Sequence, residues 1–326
     1  MMSKVVLIVC DALRDDTAAE QMGYLEHLVM AHLASRYTVR AELPTLSRPL
    51  YETLHTGVPT SRHGITTNRV VRRSEMPNVF ELATHNHKVT AASCYCWYSE
   101  LYNHAPYDPV MHREVDDAAL AIQHGRFYME DSYPDIEVFA TGAMLLRKFA
   151  PDYLLIHPMG LDYIGEQYGA DTPQYRKQAI LQDQIMAHLL PDVLKAGYTV
   201  LVTGDHGINN DGAHGGTLPD VRHVPLYIIP PEGNGAAGNT EQIVSQLQIA
   251  PTVLRLMGLV HGILVISLIG YWILRVVGSG GSSSSSNKKG GGGGAIALFG
   301  LCLVGFGLSR RDELEAQLDR EEERAL

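Results

Sequence analysis

Cysteine is scarce in this chain, with only four among 326 residues: Cys10, Cys94, Cys96 and Cys302. No two of them form a Cys-x-x-Cys pair, and Cys94 and Cys96 are too close together for an ordinary disulfide bond. The sequence therefore indicates no disulfide framework. The simplest interpretation is a protein that works in a reducing compartment.

Positive charge is also in the minority, because 26 lysines and arginines face 36 aspartates and glutamates, for a formal net charge of −10. This balance argues against broad nucleic-acid binding through a basic surface. It does not argue against small phosphate-containing substrates, since bound metal ions would supply positive charge locally.

Residues 1–258 alternate short apolar runs with helical patterns. The apolar runs are nearly continuous, as in strands buried on both faces. The alternation predicts an α/β domain, with a mainly parallel central sheet and helices on both faces. Ligands of such sheets bind beyond the carboxyl ends of the strands. The predicted strands are residues 5–9, 89–94, 153–157, 200–203 and 225–229. The predicted helices are 136–149, 172–196, which has the clearest start and stop signals, and 240–256.

The composition changes abruptly after Gly258. Residues 259–277 are nearly uncharged and long enough to span a bilayer, so we predict a transmembrane helix there. A Gly/Ser linker follows at 278–294, then a shorter apolar run at 295–308 as a possible second membrane segment, and a charged tail at 309–326. A buried core helix followed by a disordered linker is the alternative.

The two ends of the chain bear on its location. Met1 runs almost directly into the first apolar segment, so we expect no signal peptide. Arg310 and Arg311 follow the second apolar run and favour a cytoplasmic C-terminus. We therefore expect a membrane-associated protein whose main domain faces the cytoplasm. A soluble cytoplasmic protein and a surface-sorted protein are the alternatives.

Carboxylates and imidazoles stand just after several of the apolar runs. Asp11 ends the first run, Asp162 follows the third, and Asp205 and His206 end the fourth. His214 lies further on, in Gly-Ala-His-Gly-Gly. Taken singly, each is an ordinary helix cap or surface residue. Gathered at one edge of a sheet, they are donors that can hold two divalent cations.

Two further kinds of side chain could complete such a centre. Glu166 lies four residues after Asp162, so the two carboxylates would share one face of a helix, although a solvated pair is the alternative. Thr45, in Pro-Thr-Leu-Ser-Arg-Pro, is the candidate nucleophile, and Ser47 is the competing hydroxyl. Either hydroxyl needs a metal ion to lower its pKa.

These segments resemble the alkaline phosphatase superfamily. Residues 44–49 look like the nucleophile segment of the glycosylphosphatidylinositol ethanolamine-phosphate transferases, as does the step to His214. Residues 63–68 are similar to the His-Gly-Ile-x-x-Asn motif of the nucleotide pyrophosphatase/phosphodiesterases. Residues 204–207, Gly-Asp-His-Gly, match both branches, and the resemblance covers about residues 4–258.

The resemblance implies a site for two divalent cations, Zn²⁺ with Mn²⁺ or Mg²⁺ as alternatives. It also implies in-line displacement through a phospho-threonine at Thr45, with Asn68 and a backbone N–H near Leu46 holding the phosphoryl oxygens. The implied ligands are Asp11, Thr45, Asp205 and His206 for one ion and Asp162, Glu166 and His214 for the other.

One departure from the family pattern concerns the second ion. The family commonly has Asp-x-x-Gly-His, whereas this chain has Asp162-Tyr-Ile-Gly-Glu166. The additional carboxylate shifts the preference of that site toward Mn²⁺ or Mg²⁺. His214 is expected to take the role of the last family histidine, with His223 and His261 as alternatives.

We therefore expect a metal-dependent phosphoric ester hydrolase of the phosphodiesterase or nucleotide pyrophosphatase type, acting on a small phosphate ester or nucleotide and held at a membrane by its C-terminal segment. A phosphoethanolamine-type transferase and a membrane-tethered, metal-binding pseudoenzyme are the alternatives. The chain has no Cys-x-Pro-x-Arg segment, which argues against a sulfatase.

Overall fold

A computed structural model describes residues 3–259 of the chain. The predicted membrane segment at 259–277 lies outside the described residues except for its first residue, and the segments at 278–294, 295–308 and 309–326 lie outside them entirely. Across residues 3–259, no helix is both long and apolar enough to cross a bilayer.

The strands of the described region form one nine-stranded sheet. They are β1 (Lys4–Val9), β2 (Ser35–Arg40), β3 (Thr90–Tyr95), β4 (Glu114–Asp116), β5 (His124–Tyr128), β6 (Tyr153–Ile156), β7 (Tyr198–Thr203), β8 (His223–Ile229) and β9 (Gly238–Ser245). Their order across the sheet is β4-β5-β3-β6-β1-β7-β8-β2-β9. The five strands from β5 to β7 are mutually parallel, whereas β4 and β8 run antiparallel to their neighbours. The predicted α/β class and the predicted strands are confirmed.

The centre of the sheet is fully covered. All residues of β6 and β7, and all of β1 except Lys4, are buried. Because successive side chains of a strand point to opposite faces, both faces of these strands must be covered. Continuous runs of apolar residues meet this requirement, so these strands can be predicted from the sequence.

Helices connect the strands. They are α1 (Asp15–Gln21), α2 (Gly23–Met30), α3 (Ser47–Thr56), α4 (Thr60–His63), α5 (Val79–His85), α6 (Cys96–Tyr102), α7 (Asp135–Phe149), α8 (Gly160–Tyr168), α9 (Pro173–Lys195), α10 (Pro219–Arg222) and α11 (Ile249–Leu256). The predicted helices at 136–149 and 172–196 are confirmed as α7 and α9. Helix α9 begins where the side chain of Thr172 accepts a hydrogen bond from the N–H of Tyr175.

The predicted helix at 240–256 is wrong over its first half. Residues Gly238–Ser245 form β9, which pairs in parallel with β2 at the edge of the sheet, and only Ile249–Leu256 are helical. Ile243 and Val244 are β-branched and suit a strand. Pairing with β2 decides the conformation, and this partner is distant in sequence.

Helix α3 carries a buried carboxyl group, that of Glu52. It accepts hydrogen bonds from the hydroxyls of Ser74 and Tyr102. Burial raises the pKa of Glu52 to about 7, and the two hydrogen bonds oppose this shift only in part. A carboxyl group whose pKa is raised by folding stabilises the protein below its unfolded pKa, and this stabilisation is lost as the pH rises through the folded pKa.

We therefore expect the ionisation of Glu52 to lower the free energy of unfolding by about 3 kcal/mol as the pH rises from 4.5 to above 7, at about 1.4 kcal/mol per pKa unit. In Glu52→Gln this component should be missing from the pH dependence of the free energy of unfolding, measured by urea denaturation. Glu137→Gln, which changes an exposed carboxylate on α7, should keep the wild-type dependence. A Glu52→Gln variant that follows the wild-type curve would contradict the assignment.

Candidate active site

The carboxyl ends of β6, β1 and β7 bring three side chains together. His157 follows β6, Asp11 follows β1 and Asp205 follows β7, and these strands are neighbours in the sheet. All three residues are fully buried. The predicted location of the site, at the carboxyl edge of the sheet, is therefore where these donors meet.

A first donor set consists of Asp11, Asp205 and His206. Nε2 of His206 lies 3.3 Å from Oδ2 of Asp205 and 3.6 Å from Oδ1 of Asp11. One potential ligand atom from each residue lies within 4.8 Å of the other two. The hydroxyl oxygen of Ser47 lies 3.1 Å from Nε2 of His206 and is a fourth oxygen beside this set.

The protonation of His206 suits metal binding. Burial and the nearby charge of His214 lower the pKa of His206 well below its usual value, so the ring is neutral. Its Nδ1 lies 3.0 Å from the carbonyl oxygen of Gly207, to which it can donate. This leaves a lone pair on Nε2, beside the Ser47 hydroxyl and the two carboxylate oxygens.

The carboxylate of Asp11 is oriented by two buried neighbours. Its Oδ2 accepts a hydrogen bond from the hydroxyl of Tyr51 and lies 3.1 Å from Nε2 of His157. Tyr51 in turn stacks on Tyr98, with ring centroids 4.4 Å apart. These contacts hold Oδ2, so that Oδ1 faces Asp205 and His206.

Asp162 and His214 form a second group with His206, in which one potential ligand atom of each residue lies within 4.8 Å of the other two. Glu166 adjoins this group through His214, and we call Asp162, Glu166 and His214 the second donor set. Nε2 of His214 lies 3.8 Å from Oδ1 of Asp162 and 3.5 Å from Oε1 of Glu166. Asp162 and Glu166 share one face of α8, as predicted from their spacing. The rings of His206 and His214 stack at 4.2 Å, so the two sets adjoin.

The charges at this centre show whether divalent cations fit it. Oδ1 of Asp11, Oδ1 of Asp162 and Oδ2 of Asp205 are buried and have no hydrogen-bond partner within the described residues. Burial, with repulsion between the carboxylates, raises the pKa of Asp11 and Asp162, and burial raises that of Asp205. Buried carboxylates that converge without a compensating charge are unstable unless protonated or bound to a cation. The residues therefore fit divalent cations.

The two candidate hydroxyls differ in what they face. The hydroxyl of Thr45 donates to the carbonyl oxygen of Gly216, at 3.0 Å. The hydroxyl of Ser47, the first residue of α3, faces His206 in the first donor set. Thr45 contacts the centre through its backbone, because its carbonyl oxygen lies 3.0 Å from Nδ1 of His214. Of these two hydroxyls, that of Ser47 and not that of Thr45 therefore lies against the first donor set.

Asn68 lies beside the start of α3. Its side-chain oxygen accepts a hydrogen bond from the N–H of Arg48, at 3.0 Å, which leaves its amide nitrogen as a donor. The guanidinium of Arg48 donates to the carbonyl of Asn68 and pairs with Glu100 at 2.5 Å. Of the backbone N–H groups near Leu46, that of Leu46 itself donates to the carbonyl oxygen of Pro44 and is therefore not available for a substrate. The N–H of Ser47 belongs to the first turn of α3, where backbone N–H groups have no intrahelical acceptor.

Sequence reasoning missed Tyr51 and His157. His157 ends an apolar run in the same manner as Asp11, so its position was a usable signal. Tyr51 gave no such signal, because its role depends on the packing of α3 across the end of β1. Among the predicted ligands, Asp11 and Asp205 lie beside His206, Asp162 and His214 form a second group with it, and Glu166 adjoins His214, whereas the Thr45 hydroxyl faces Gly216.

We expect Tyr51→Phe to weaken metal binding and to lower turnover by about 10- to 100-fold, because Asp11 loses a donor that orients it. The measurements are metal affinity by competition with a chromophoric chelator and kcat on a phosphodiester. Tyr98→Phe is the matched control, since the buried hydroxyl of Tyr98 has no hydrogen-bond partner within the described residues. Equal losses in both variants would attribute the effect to packing and contradict a role for the Tyr51 hydroxyl.

Comparison with known proteins gives a family match. Residues 5–211 match the family model described as type I phosphodiesterase / nucleotide pyrophosphatase. The chain is 24% identical over 280 residues to the catalytic subunit of GPI ethanolamine phosphate transferase 2 of Homo sapiens, covering 79% of this chain and 27% of that protein. It is 24% identical over 291 residues to the catalytic subunit of GPI ethanolamine phosphate transferase 3 of Homo sapiens, covering 79% and 24%. The chain thus spans about a quarter of the length of these relatives.

Solved structures share the fold. Murine ectonucleotide pyrophosphatase/phosphodiesterase 5 matches with a TM-score of 0.61 at 12% identity, covering 78% of this chain and 95% of that chain. A mutant of TAB5 alkaline phosphatase matches with a TM-score of 0.53 at 11% identity, covering 79% and 99%. At such identities the likeness shows the fold alone.

Proposed function

This chain belongs to the type I phosphodiesterase/nucleotide pyrophosphatase family, and from that premise we propose that it is a metal-dependent phosphodiesterase that acts through a phosphoserine at Ser47. The observation that carries the proposal is the position of the Ser47 hydroxyl, 3.1 Å from Nε2 of His206 and beside two buried carboxylates. A hydroxyl held against such a donor set is placed to become a nucleophile.

Each of the two donor sets would bind one ion. Asp11, Asp205, His206 and Ser47 would hold one divalent cation, and the second donor set would hold another. Such ions, when bound, lower the pKa of a nearby hydroxyl or water and offset negative charge on the transferring phosphoryl group. The number and identity of the ions belong to the proposal, with Zn²⁺ first and Mn²⁺ or Mg²⁺ as alternatives.

The chain's own groups position the substrate. The amide nitrogen of Asn68 and the N–H of Ser47 are the donors we assign to the non-bridging phosphoryl oxygens. Arg48 fixes Asn68 through its N–H and its guanidinium, while Glu100 and the face of Trp97, 4.4 Å from the guanidinium carbon, fix Arg48. After Ser47 loses its proton, its oxygen attacks phosphorus in line, the bond from phosphorus to the departing ester oxygen breaks, and that oxygen leaves as an alcohol once it takes up a proton. Water then displaces the Ser47 oxygen from phosphorus, which restores the Ser47 hydroxyl and releases a phosphate monoester.

A second candidate function is transfer of the phosphoryl-bearing group to an alcohol instead of water. The relatives named above are GPI ethanolamine phosphate transferases, which favours this alternative. The same nucleophile and ions serve both reactions, so only the acceptor differs. Membrane association through residues 259–277, a phosphate-ester substrate and the absence of broad nucleic-acid binding stay predictions.

The test compares bis-p-nitrophenyl phosphate with p-nitrophenyl phosphate in the presence of Zn²⁺ or Mn²⁺. The proposal expects faster release of p-nitrophenol from the diester. Faster release from the monoester would contradict the proposal and indicate a phosphatase instead. Repeating the diester reaction with added glycerol separates the second candidate: a glycerol phosphodiester product indicates transfer, whereas p-nitrophenyl phosphate as the only product indicates hydrolysis.

A further inference from the structure

The two donor sets differ in how firmly their side chains are held. In the first set, Asp11, Asp205 and His206 are fully buried. Each also has a partner outside the set: Tyr51 holds Asp11, the N–H of Ala12 holds Asp205 at 3.1 Å, and the carbonyl of Gly207 holds His206. Donors fixed in this way lose little conformational freedom when an ion binds.

The second set is open on one side. The side chain of Glu166 is 52% exposed, compared with 11% for Asp162 and His214. The contact of Glu166 within the described residues is with His214 itself, so no outside group orients its carboxylate. Binding an ion must therefore immobilise a long, solvated side chain, which costs conformational entropy.

Solvent access also affects which ion is preferred. The second set offers two carboxylates and one imidazole, with an open side through which water can reach an ion. Mn²⁺ and Mg²⁺ accept oxygen-rich, six-coordinate surroundings that include water, whereas Zn²⁺ favours closed four-coordinate sites. The first set also offers two carboxylates and one imidazole, but its side chains are fully buried and the Ser47 hydroxyl adjoins them, so it leaves less room for water around an ion.

We propose that the second donor set is an exchangeable site for an oxygen-preferring divalent cation, Mn²⁺ above all, whereas the first set retains its ion. The inference rests on the proposed two-ion function and adds that activity is set by the supply of the second cation. Because Glu166 lacks an orienting partner, the affinities of the two sites should differ by about 10- to 100-fold.

Metal counting on the full chain tests this without any activity assay. The protein is stripped with a chelator, loaded with excess Zn²⁺ or Mn²⁺ and dialysed, and bound metal is measured by mass spectrometry. Free Mn²⁺ is followed by its electron paramagnetic resonance signal during titration. We expect one equivalent to survive dialysis, and we expect added Mn²⁺ to fill a second, weaker site.

Variants at Glu166 locate the weak site. Glu166→Gln should abolish the second equivalent and leave the retained one, and Glu166→His should raise Zn²⁺ retention toward two equivalents. Glu137→Gln, which removes an exposed carboxylate from α7, should behave as wild type. Circular dichroism confirms that each variant is folded.

Three outcomes would overturn the inference: two equally retained ions, no retained ion, or loss of the retained ion in Glu166→Gln. These results are independent of the proposed function. An active phosphodiesterase with two equally tight ions would refute only the present inference, and an inactive protein with one tight and one weak site would refute only the proposed function.

Discussion

Replacing Ser47 by alanine is expected to lower kcat on a phosphodiester by about 10³-fold or more, because the reaction loses its nucleophile and the first ion loses a ligand. The variant should still fold, since Ser47 is a small residue at the start of α3 and its hydroxyl makes one hydrogen bond within residues 3–259, with His206. The measurement is initial-rate hydrolysis of bis-p-nitrophenyl phosphate at saturating metal. Mass spectrometry of acid-quenched wild-type enzyme should find the phosphoryl group on Ser47.

The matched control is Thr45→Val, which removes a hydroxyl two residues away and keeps the shape of the side chain. Its cost should be about 1 kcal/mol of stability, from the lost hydrogen bond to Gly216, and less than about tenfold in kcat. The backbone carbonyl that holds His214 is unchanged. If Thr45→Val is the inactive variant and Ser47→Ala is active, the nucleophile is Thr45, as the sequence first suggested.

Removal of divalent cations is expected to abolish activity and to lower Tm by roughly 10 °C. An ion present at about 1,000 times its Kd stabilises the folded chain by about 4 kcal/mol, and a domain of this size gains roughly 2–4 °C per kcal/mol. The physical reason is the buried carboxylates of Asp11, Asp162 and Asp205, whose pKa stays raised because the charge of the nearby His214 offsets their burial only in part.

The effect of pH on this difference follows from the pKa shifts. Folding raises the pKa of Asp11, Asp162 and Asp205, so the metal-free chain loses stability as the pH rises above about 4. In the metal-free chain the pKa of His214 is raised to about 9, since its hydrogen bond with Glu166 and the charge of Asp162 outweigh burial. That stabilisation is also lost as the pH rises, through about 9.

Metal binding has the opposite dependence, because protons compete with the ion for the same donor atoms. The difference in Tm between the loaded and the metal-free chain should therefore grow from pH 5.5 to pH 8. Differential scanning calorimetry at several pH values, with and without chelator, measures it. A difference that stays constant or shrinks over this range would show that the carboxylates are not the ion's ligands.

Much of the candidate site could be predicted because the ends of buried strands can be recognised in a sequence as the ends of apolar runs. Asp11 and the Asp205-His206 pair follow continuous apolar runs, and the carboxyl ends of parallel strands share one edge of a sheet. The spacing of Asp162 and Glu166 likewise placed both on one face of α8. The helix predicted at 240–256 failed for the reverse reason, since its first half is fixed by pairing with the distant β2.

The sequence by itself thus determined the α/β alternation, the carboxyl-edge site and most of its donors, since periodicity and strand ends are local properties. Tertiary structure alone decided that β6, β1 and β7 are neighbours, which brings His157 against Asp11. It also decided between two hydroxyls: α3 begins at Ser47 and turns its side chain toward His206, while the hydroxyl of Thr45 is turned to Gly216. From the sequence alone, two hydroxyl side chains two residues apart in a loop are equally good candidates. The packing of the following helix fixes the direction in which each side chain points.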